Sequence, residues 1–301
     1  MQQTIYRLYS GTPLDVLKDI CRRNKIKFSG KNKLELANAI VENMNNPAVV
    51  QEVDEIIYAG RRAVSWFVID DTKNRQKTTA NIVKKTLERK LNPSLFKTVL
   101  NPTLTEKPQI ILSKVYSKNK IMCLFAHSEI RPAYIDYEVK ELKYTMYTSS
   151  FIRISSMCFE IRTNPFEAMS IAEHLCMLLD SGPAECITLT ENDLDQFINK
   201  INGHLHAVKK KHTSGDYDTT EIVAAPTTPD LRNSQQFLKN GLSKLPTRNE
   251  VISFPFRYND SDEVLITISV NPVTGSFWFR SYVREQVIDY IFNSLKQIKG
   301  F

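Results

Sequence analysis

The sequence predicts an α+β protein: a helical N-terminal half, then a mixed or antiparallel sheet with helices, then a C-terminal β-β-β-α unit. Apolar residues recur with the helical period up to about residue 90, and from Pro108 onward they alternate with the period of a β-strand. Hydrophobic residues make up 42% and aromatic residues 10% of the 301 positions, which indicates that most of the chain is globular.

The composition narrows the class of protein. The net charge of +7 and the pI of about 9.0 are compatible with an anionic partner, although charge bears first on solubility and nonspecific association. The longest apolar runs, such as "VLITISV", are too short to cross a bilayer, and the N-terminus lacks a signal-peptide core. The five cysteines are scattered without zinc-binding spacing, which is typical of buried free thiols. We therefore expect a soluble intracellular protein without membrane contact, located in the nucleus if its source is eukaryotic.

Changes in period and polarity divide the chain into four regions. Residues 1–90 are expected to form a basic helical region, and residues 108–205 a mixed α/β sheet domain. Residues 206–249 are polar and contain "VKKKHTSGDYD" and "APTTPD", which is typical of a linker or crossover. Residues 250–301 complete the chain as the β-β-β-α unit.

Residues 12–44 are expected to form two helices joined by a turn. Leu17 and Ile20 belong to the apolar face of the first helix, Ser29-Gly30 breaks the chain, and a second apolar face follows. This arrangement resembles the SAP and LEM class of small DNA-binding helical hairpins. The residues that carry the resemblance are Leu17, Ile20, Ile26, Ser29-Gly30-Lys31, Leu34 and Ile40.

The turn between these helices is strongly basic. Six basic residues fall within 12 positions with no acid among them: Arg22, Arg23, Lys25, Lys27, Lys31 and Lys33. Such side chains neutralise phosphates and release condensed counterions, which drives sequence-independent affinity for DNA. Ser29 and Gly30 would also let backbone amides approach a phosphate at the start of the second helix. The alternative is a charged face that serves solubility alone.

A second basic tract runs from Lys73 to Lys90, where seven basic residues face the single acid Glu88. Its apolar residues predict an amphipathic basic helix, and the alternative is an ordinary exposed helix and loop. The residues of this tract that we expect to contact DNA are Lys73, Arg75, Lys77, Lys84, Lys85 and Arg89. Arg61 and Arg62 are expected to extend a basic groove between helical elements.

The expected nucleic acid is duplex DNA. No aromatic residues alternate with these basic residues as stacking platforms, so single-stranded nucleic acid is disfavoured. No recognition helix offers Asn, Gln and Arg for reading bases, and phosphate contacts position a protein without specifying a sequence.

Three segments extend the comparison to the whole chain. "DEIIYAGRRAVSWFVID" ends the helical half, and "YTMYTSSF" is followed by "PFEAMSIAEHLCML", "ECITLT" and "DLDQFINKI". "SFWFRSYVREQVIDYIFNSLKQIKG" closes the chain. In this order the segments resemble the centromere protein N family of inner-kinetochore subunits. The resemblance implies a basic helical start that binds centromeric chromatin, and a C-terminal sheet and helix that pair with centromere protein L.

A consecutive aromatic run, Phe277, Trp278 and Phe279, lies in a predicted strand of the C-terminal unit. Alternation places the two phenylalanines on one face of the strand and Trp278 on the other. Either the strand is buried on both sides, or one face is open to a protein partner. We predict a partner interface formed by these three residues and Tyr290 on the following helix.

A nuclease is the main enzymatic alternative. Glu138-Val139-Lys140 has the ExK form found in metal-dependent nucleases, with Glu129 or Asp136 as upstream acids. The spacing is poor, and such triplets arise readily by chance in a charged chain. The sequence contains no phosphate-binding loop, GxSxG, HExxH or dinucleotide motif, so no cofactor is predicted.

His204-Leu205-His206 could place two imidazoles on one strand face as metal ligands. We expect instead that these histidines lie exposed at a helix end, beside the run Lys209 to Lys211, so no metal site is predicted.

The sequence therefore favours a non-enzymatic scaffold that binds duplex DNA or a nucleosome through its helical half and a protein through its C-terminal unit. The alternatives are a metal-dependent nuclease with a SAP-like targeting arm, and an interaction module whose basic face binds an acidic protein.

Overall fold

The computed structural model describes residues 2–59, 63–69, 78–135, 137–211, 218–239, 245–258 and 263–301. Its helices are α1 (Gln2–Gly11), α2 (Leu14–Arg23), α3 (Lys33–Glu42), α4 (Pro47–Tyr58), α5 (Ala80–Lys90), α6 (Pro165–Leu179), α7 (Glu191–Lys200), α8 (Gln235–Lys239) and α9 (Glu285–Lys299). Its strands are β1 (Ala63–Ile69), β2 (Gln109–Ser117), β3 (Lys120–Ile135), β4 (Glu138–Arg153), β5 (Cys158–Ile161), β6 (Ala184–Cys186), β7 (His204–Lys211), β8 (Thr219–Val223), β9 (Thr247–Arg257), β10 (Glu263–Asn271) and β11 (Ser276–Phe279). The predicted α+β class is confirmed.

The N-terminal helices form a bundle with its own apolar core. Leu17, Ile20, Leu36 and Ile40 from the predicted hairpin lie in this core with Leu8 of α1, a helix that the sequence analysis did not predict. Asn46 caps α4 by accepting a hydrogen bond from the N–H of Ala48, and Pro47 follows it as the first helical residue.

All described strands belong to one sheet, in the order β2-β3-β4-β5-β1-β11-β10-β9-β7-β8, with β6 paired to β1. Every pairing that the structure describes is antiparallel, so the mixed alternative is wrong for this part of the chain. Strand β1 comes from the helical half and lies between the two strand-rich regions. The regions predicted as separate units therefore share a single sheet.

Helices cover both faces of the sheet. Successive side chains of β1 point to opposite faces. Trp66 packs into the core formed by α7, α9 and the C-terminal strands, and its neighbour Phe67 packs into the core formed by α5 and α6. Both side chains are almost completely buried, so β1 is a central strand.

Residues 206–249 are wrongly predicted as a linker. Most of β7, the whole of β8 and the helix α8 lie within this range, and β7 pairs with both β8 and β9 in the sheet. The range looks like a linker because its sheet residues are unusually polar. Lys210, for example, is buried but bonds through Nζ to the Thr247 hydroxyl at 2.7 Å.

A buried ion cluster joins the sheet to α9 and to the end of α4. Three cations and three carboxylates meet there: Lys120, Arg153, Arg162, Glu160, Glu285 and Asp289. Asp289 is partly exposed, whereas the other five are almost completely buried. The formal charges cancel, which is the condition for burying so many ionised groups in one place.

Arg162 lies at the centre of this cluster and is 1% exposed. Its Nε donates to Glu160 Oε1 and its Nη2 to Glu285 Oε2, both at 2.8 Å. Nη1 donates to the backbone carbonyl of Tyr58, the last residue of α4, at 2.5 Å. One side chain thus holds three regions of the sequence together.

The carboxylates of this cluster remain ionised despite their burial. Burial alone opposes ionisation of Glu160, but the attraction of Arg153, Lys120 and Arg162 outweighs it and holds the pKa well below its usual range. Burial also opposes ionisation of Glu285, and the attraction of Arg162 and Lys120 holds its pKa below the usual range.

Candidate nucleic-acid interface

The basic turn between α2 and α3 is exposed, as the sequence predicted. Lys25 and Gly30 both adopt the left-handed conformation, with φ of 57° and 73°, and the chain thereby reverses between the helices. A Cβ added at Gly30 would contact no atom within 4 Å, so the glycine is required by its φ and not by crowding. Lys25 and Lys27 are exposed, and Lys31 is half-buried.

Five of the six basic residues of this turn fall into two groups, and Lys33 belongs to neither. Arg22 and Arg23 at the end of α2 pair with Asp19 at 3.4 and 2.6 Å, and Arg23 also contacts Glu52 at 3.4 Å. These arginines are therefore partly neutralised by acids that lie outside the run of basic residues. Lys33 lies over the ring of Tyr9 at 5.6 Å.

Lys25, Lys27 and Lys31 form the second group. None of them makes an ion pair within the part of the chain that the structure describes. We call these three residues the free lysines of the turn. Because no internal carboxylate competes for them, their charges are available to an external anion.

The N-terminus of α3 is not open to a phosphate, contrary to the expectation from Ser29 and Gly30. The Asn32 side chain accepts the N–H of Glu35 at 3.0 Å, and the Glu35 carboxylate accepts the N–H of Asn32 at 2.8 Å. This capping box places a negative charge at the helix start. A phosphate would have to bind through the lysine side chains instead.

The second basic tract is partly described. Lys84, Lys85 and Arg89 lie on α5, whose predicted helical character is confirmed. Lys84 is half-buried, 3.9 Å from Glu88 and 5.4 Å from the Phe96 ring centroid, whereas Lys85 and Arg89 are exposed. Five further residues predicted to contact DNA lie outside the described residues: Arg61, Arg62, Lys73, Arg75 and Lys77.

The described part of the second tract and the helix bundle that contains the α2–α3 turn lie on opposite faces of the sheet. Helix α5 packs on the face of β3 that contains Cys123 and Phe125. Tyr58, at the end of the N-terminal bundle, packs on the alternate residues Met122 and Leu124, which point to the other face. The described part of the second tract therefore does not continue the surface of the α2–α3 turn, and the expected single groove is not formed by these residues.

The predicted aromatic interface is corrected at two of its four residues. Phe277 and Phe279 are completely buried in the chain's own core, where Phe277 makes edge-on contacts with Trp66 and Phe197. Tyr290 packs at an angle against Phe254 and Phe256. The face of β11 that contains Phe277 and Phe279 is therefore covered by side chains of the same protein.

Trp278 faces the opposite side of the sheet and is 51% exposed. It lies directly across from Ala63 on β1 and Ser269 on β10, whose small side chains leave its ring uncovered. A groove of about 610 Å³ lies elsewhere, between α4 and α9, and a second groove of about 510 Å³ includes Trp278. Hydroxyl and amide groups line this second groove, among them Asn249 and Asn271. Of the four residues of the predicted interface, Trp278 is the one that is exposed.

The residues of the nuclease alternative lie on an exposed hairpin. Glu138 and Lys140 are both exposed on β4, and Glu129 pairs with Arg131 at 2.7 Å, while Asp136 lies outside the described residues. A nuclease needs carboxylates that converge on a metal ion. Among the described residues, no group of three or more His, Cys, Asp or Glu side chains could hold one.

His204 and His206 are exposed as expected, but they lie on β7 and not at a helix end. His204 is 3.6 Å from Asp230, and His206 falls where the pairing of β7 with β9 shifts register. All five cysteines are free thiols, and Cys21, Cys123 and Cys158 are buried. Burial raises the pKa of Cys123 to about 12, which leaves this thiol unreactive.

Comparison with known proteins adds no assignment, because the chain matches no family model and no curated protein. Among the described helices, none is long and apolar enough to cross a membrane.

The buried ion cluster was not predicted from the sequence. The signal was present in "CFEIR", where Glu160 and Arg162 fall two residues apart in an apolar strand and therefore share a face. Charged residues in a strand of this kind are almost never fully buried unless they are paired. Their partner Glu285 lies more than 120 residues further along the chain, and no local pattern connects the two.

Proposed function

We propose that the protein is a non-enzymatic scaffold that binds duplex DNA or chromatin through the α2–α3 turn. The observation that carries the proposal is the group of free lysines on this turn, Lys25, Lys27 and Lys31. Phosphate contacts of this kind give affinity without sequence readout, so we expect little preference among duplex sequences. An inner-kinetochore role and a nuclear location follow from the family resemblance alone and belong to the same proposal.

The test is a titration of a labelled 30-base-pair duplex, followed by fluorescence anisotropy at several salt concentrations. The variant replaces Lys25, Lys27 and Lys31 by glutamate. Each phosphate contact contributes about 0.9 to the slope of log affinity against log salt, so the slope should fall by about 2 to 3. A flat salt dependence of the wild type would contradict the proposal.

A matched control separates a local site from a general charge effect. Lys97, Lys107 and Lys118 are exposed lysines distant in sequence from the turn, and replacing them by glutamate changes the net charge by the same amount. The control variant should retain wild-type affinity within about threefold. Equal losses in the two variants would refute a site at the turn.

The same titration with magnesium tests the nuclease alternative. Cleavage that requires magnesium and disappears in Glu138→Ala would replace the scaffold by an enzyme. Binding to an acidic protein instead of DNA is the other alternative, and a duplex affinity that the free lysines do not affect would favour it.

We further propose that a protein partner binds the sheet face around Trp278. An exposed tryptophan in a groove of hydroxyl and amide groups is typical of an interface anchor with a polar surround. Following the resemblance, the partner to test is the centromere protein L counterpart of the same organism. Trp278→Ala should abolish co-elution of the two proteins without affecting DNA binding, and unchanged co-elution would place the partner elsewhere.

A further inference from the structure

The hairpin of β3 and β4 extends well beyond the rest of the sheet. Both strands have 16 residues and pair from Lys120–Arg153 to Ile135–Glu138. Strand β2 accompanies β3 only as far as Ala126, and β5 accompanies β4 only from Ser150 onward. About nine residues of each strand therefore form a two-stranded ribbon, which at 3.4 Å a residue is about 30 Å long.

The ribbon is exposed on both faces. Tyr134 is 72% and Tyr137 is 91% exposed, and Ile130, Val139 and Tyr144 are also exposed. An isolated two-stranded ribbon is marginally stable in water, and large exposed apolar side chains on one mark a surface that binds something. Its charges are mixed, with acids and bases interspersed along both strands, which does not suit DNA.

The free edge of β4 is the part of the ribbon best suited to pairing with another strand. Between Glu138 and Tyr147, no strand other than β3 pairs with β4 in the described structure. Strand β3 contains Pro132, which lacks an N–H, whereas β4 contains no proline. Proline within a sheet marks an edge that is protected from pairing. Strand β4 lacks this protection.

The sequence of β4 is self-complementary in one register. Two antiparallel copies related by a two-fold axis perpendicular to the sheet must pair one residue with itself. If that residue is Leu142, Glu141 of each copy faces Lys143 of the other, and Val139 faces Thr145. Both reciprocal charge pairs are then formed.

The two neighbouring registers are disfavoured. Centring the pair on Glu141 would place two glutamates opposite each other, and centring it on Lys143 would do the same with two lysines. Within the described ribbon, Glu141 lies across from Pro132 and Lys143 from Ile130, and neither makes an ion pair there. Both charges are therefore available to a second copy.

We propose that two copies of this chain associate through the β4 edges of their ribbons, in the register centred on Leu142, to form a continuous four-stranded ribbon. This inference is independent of the proposed DNA binding. Nine residues a side is less than half of a standard interface, so we expect a dissociation constant in the micromolar range, on the order of 1–50 µM.

The test is sedimentation equilibrium of the full-length protein from about 1 to 200 µM. The wild type should pass from monomer to dimer across this range. In the Glu141→Lys variant, two lysines face each other where each charge pair stood in the wild type. In the Lys143→Glu variant, two glutamates face each other at the same places. Each single variant should weaken dimerisation by about tenfold or more and remain folded by circular dichroism.

Two combinations restore the charge pairs and make the test specific for the register. The double variant Glu141→Lys/Lys143→Glu exchanges the two charges and should dimerise like the wild type. An equimolar mixture of the two single variants should form heterodimers, because each copy then supplies the charge that the other lacks. A wild type that is monomeric at 200 µM overturns the proposal. So does a mixture that associates no more strongly than the separate single variants.

Discussion

Removal of Arg162 should destabilise the whole protein, because this side chain pairs with both Glu160 and Glu285 in the buried ion cluster. Arg162→Met keeps most of the aliphatic part of the side chain but removes the guanidinium, which lies 4.1 Å from the centroid of the Phe151 ring. It removes the charge and the hydrogen bonds to Glu160, Glu285 and the Tyr58 carbonyl. The cluster is left with three carboxylates and two cations.

The expected loss in the free energy of unfolding depends on the ion pairs that remain in the variant. Removing one partner of a buried ion pair usually costs 3–5 kcal/mol, since the other partner stays buried and uncompensated. Here Lys120 remains 2.9 Å from Glu285, and Arg153 Nε remains 2.7 Å from Glu160. These contacts place the loss at the lower end of the range, about 3 kcal/mol. Loss of the hydrogen bond to the Tyr58 carbonyl adds about 1 kcal/mol.

Urea unfolding followed by tryptophan fluorescence measures this loss. Trp66 is a suitable reporter because it is completely buried and its Nε1 donates to Glu160 at 3.2 Å. A Trp278→Phe background removes the exposed tryptophan. The control is Arg22→Met, whose side chain is 66% exposed and 3.4 Å from Asp19, and which should cost less than 1 kcal/mol. A loss below 1 kcal/mol for Arg162→Met, with an unchanged dependence on urea, would refute the reasoning.

Three other outcomes follow from the structure. Burial raises the pKa of Glu250 to about 7, so the wild type should lose stability as the pH rises from about 4.5 through 7. Glu250→Gln should remove this loss and be about 2–3 kcal/mol more stable than the wild type at pH 8 but not at pH 4. Equal pH profiles of the two proteins in urea unfolding would contradict this expectation. Lys84→Glu with Lys85→Glu should weaken duplex binding less than the triple variant of the turn, because α5 lies on the other face of the sheet; an equal loss in the anisotropy titration would show that both faces contact DNA. Deletion of residues 250–301 should abolish cooperative unfolding, and a truncated protein that still unfolds cooperatively and binds DNA would show that the regions are independent.

The local elements were predictable because each has a local cause. Period and turn residues predicted the α2–α3 hairpin and the closing β-β-β-α unit, and both are present. The basic turn was equally predictable, because a run of six basic residues without an acid is visible in the local sequence. The pairing of Arg22 and Arg23 with Asp19 was also predictable, because Asp19 lies one turn of α2 away from both.

The sheet order was not predictable from these patterns. The strand β1 is a short apolar run after a helix. Its sequence, "AVSWFVI", does not indicate that strands from two distant regions pair with its two edges. The same kind of non-local pairing explains why residues 206–249 were wrongly predicted as a linker. Strands β7 and β8 are too polar to look buried on either face. Strand β7 is held in the sheet by its pairing with β9, and β8 by its pairing with β7.

The position of β1 also determines how the proposed functions can be related. On one edge β1 pairs with β5, which leads into α6, and on the other with β11, which leads towards α9. The helix bundle is joined to the same C-terminal segment directly: the Tyr282 hydroxyl donates to the Ile56 carbonyl at 2.9 Å, and Arg284 pairs with Asp19 at 3.1 Å. Asp19 is the residue that also holds Arg22 and Arg23 beside the basic turn. A duplex bound at the turn would therefore have a defined position relative to the Trp278 face, which a helical arm on a flexible linker could not provide.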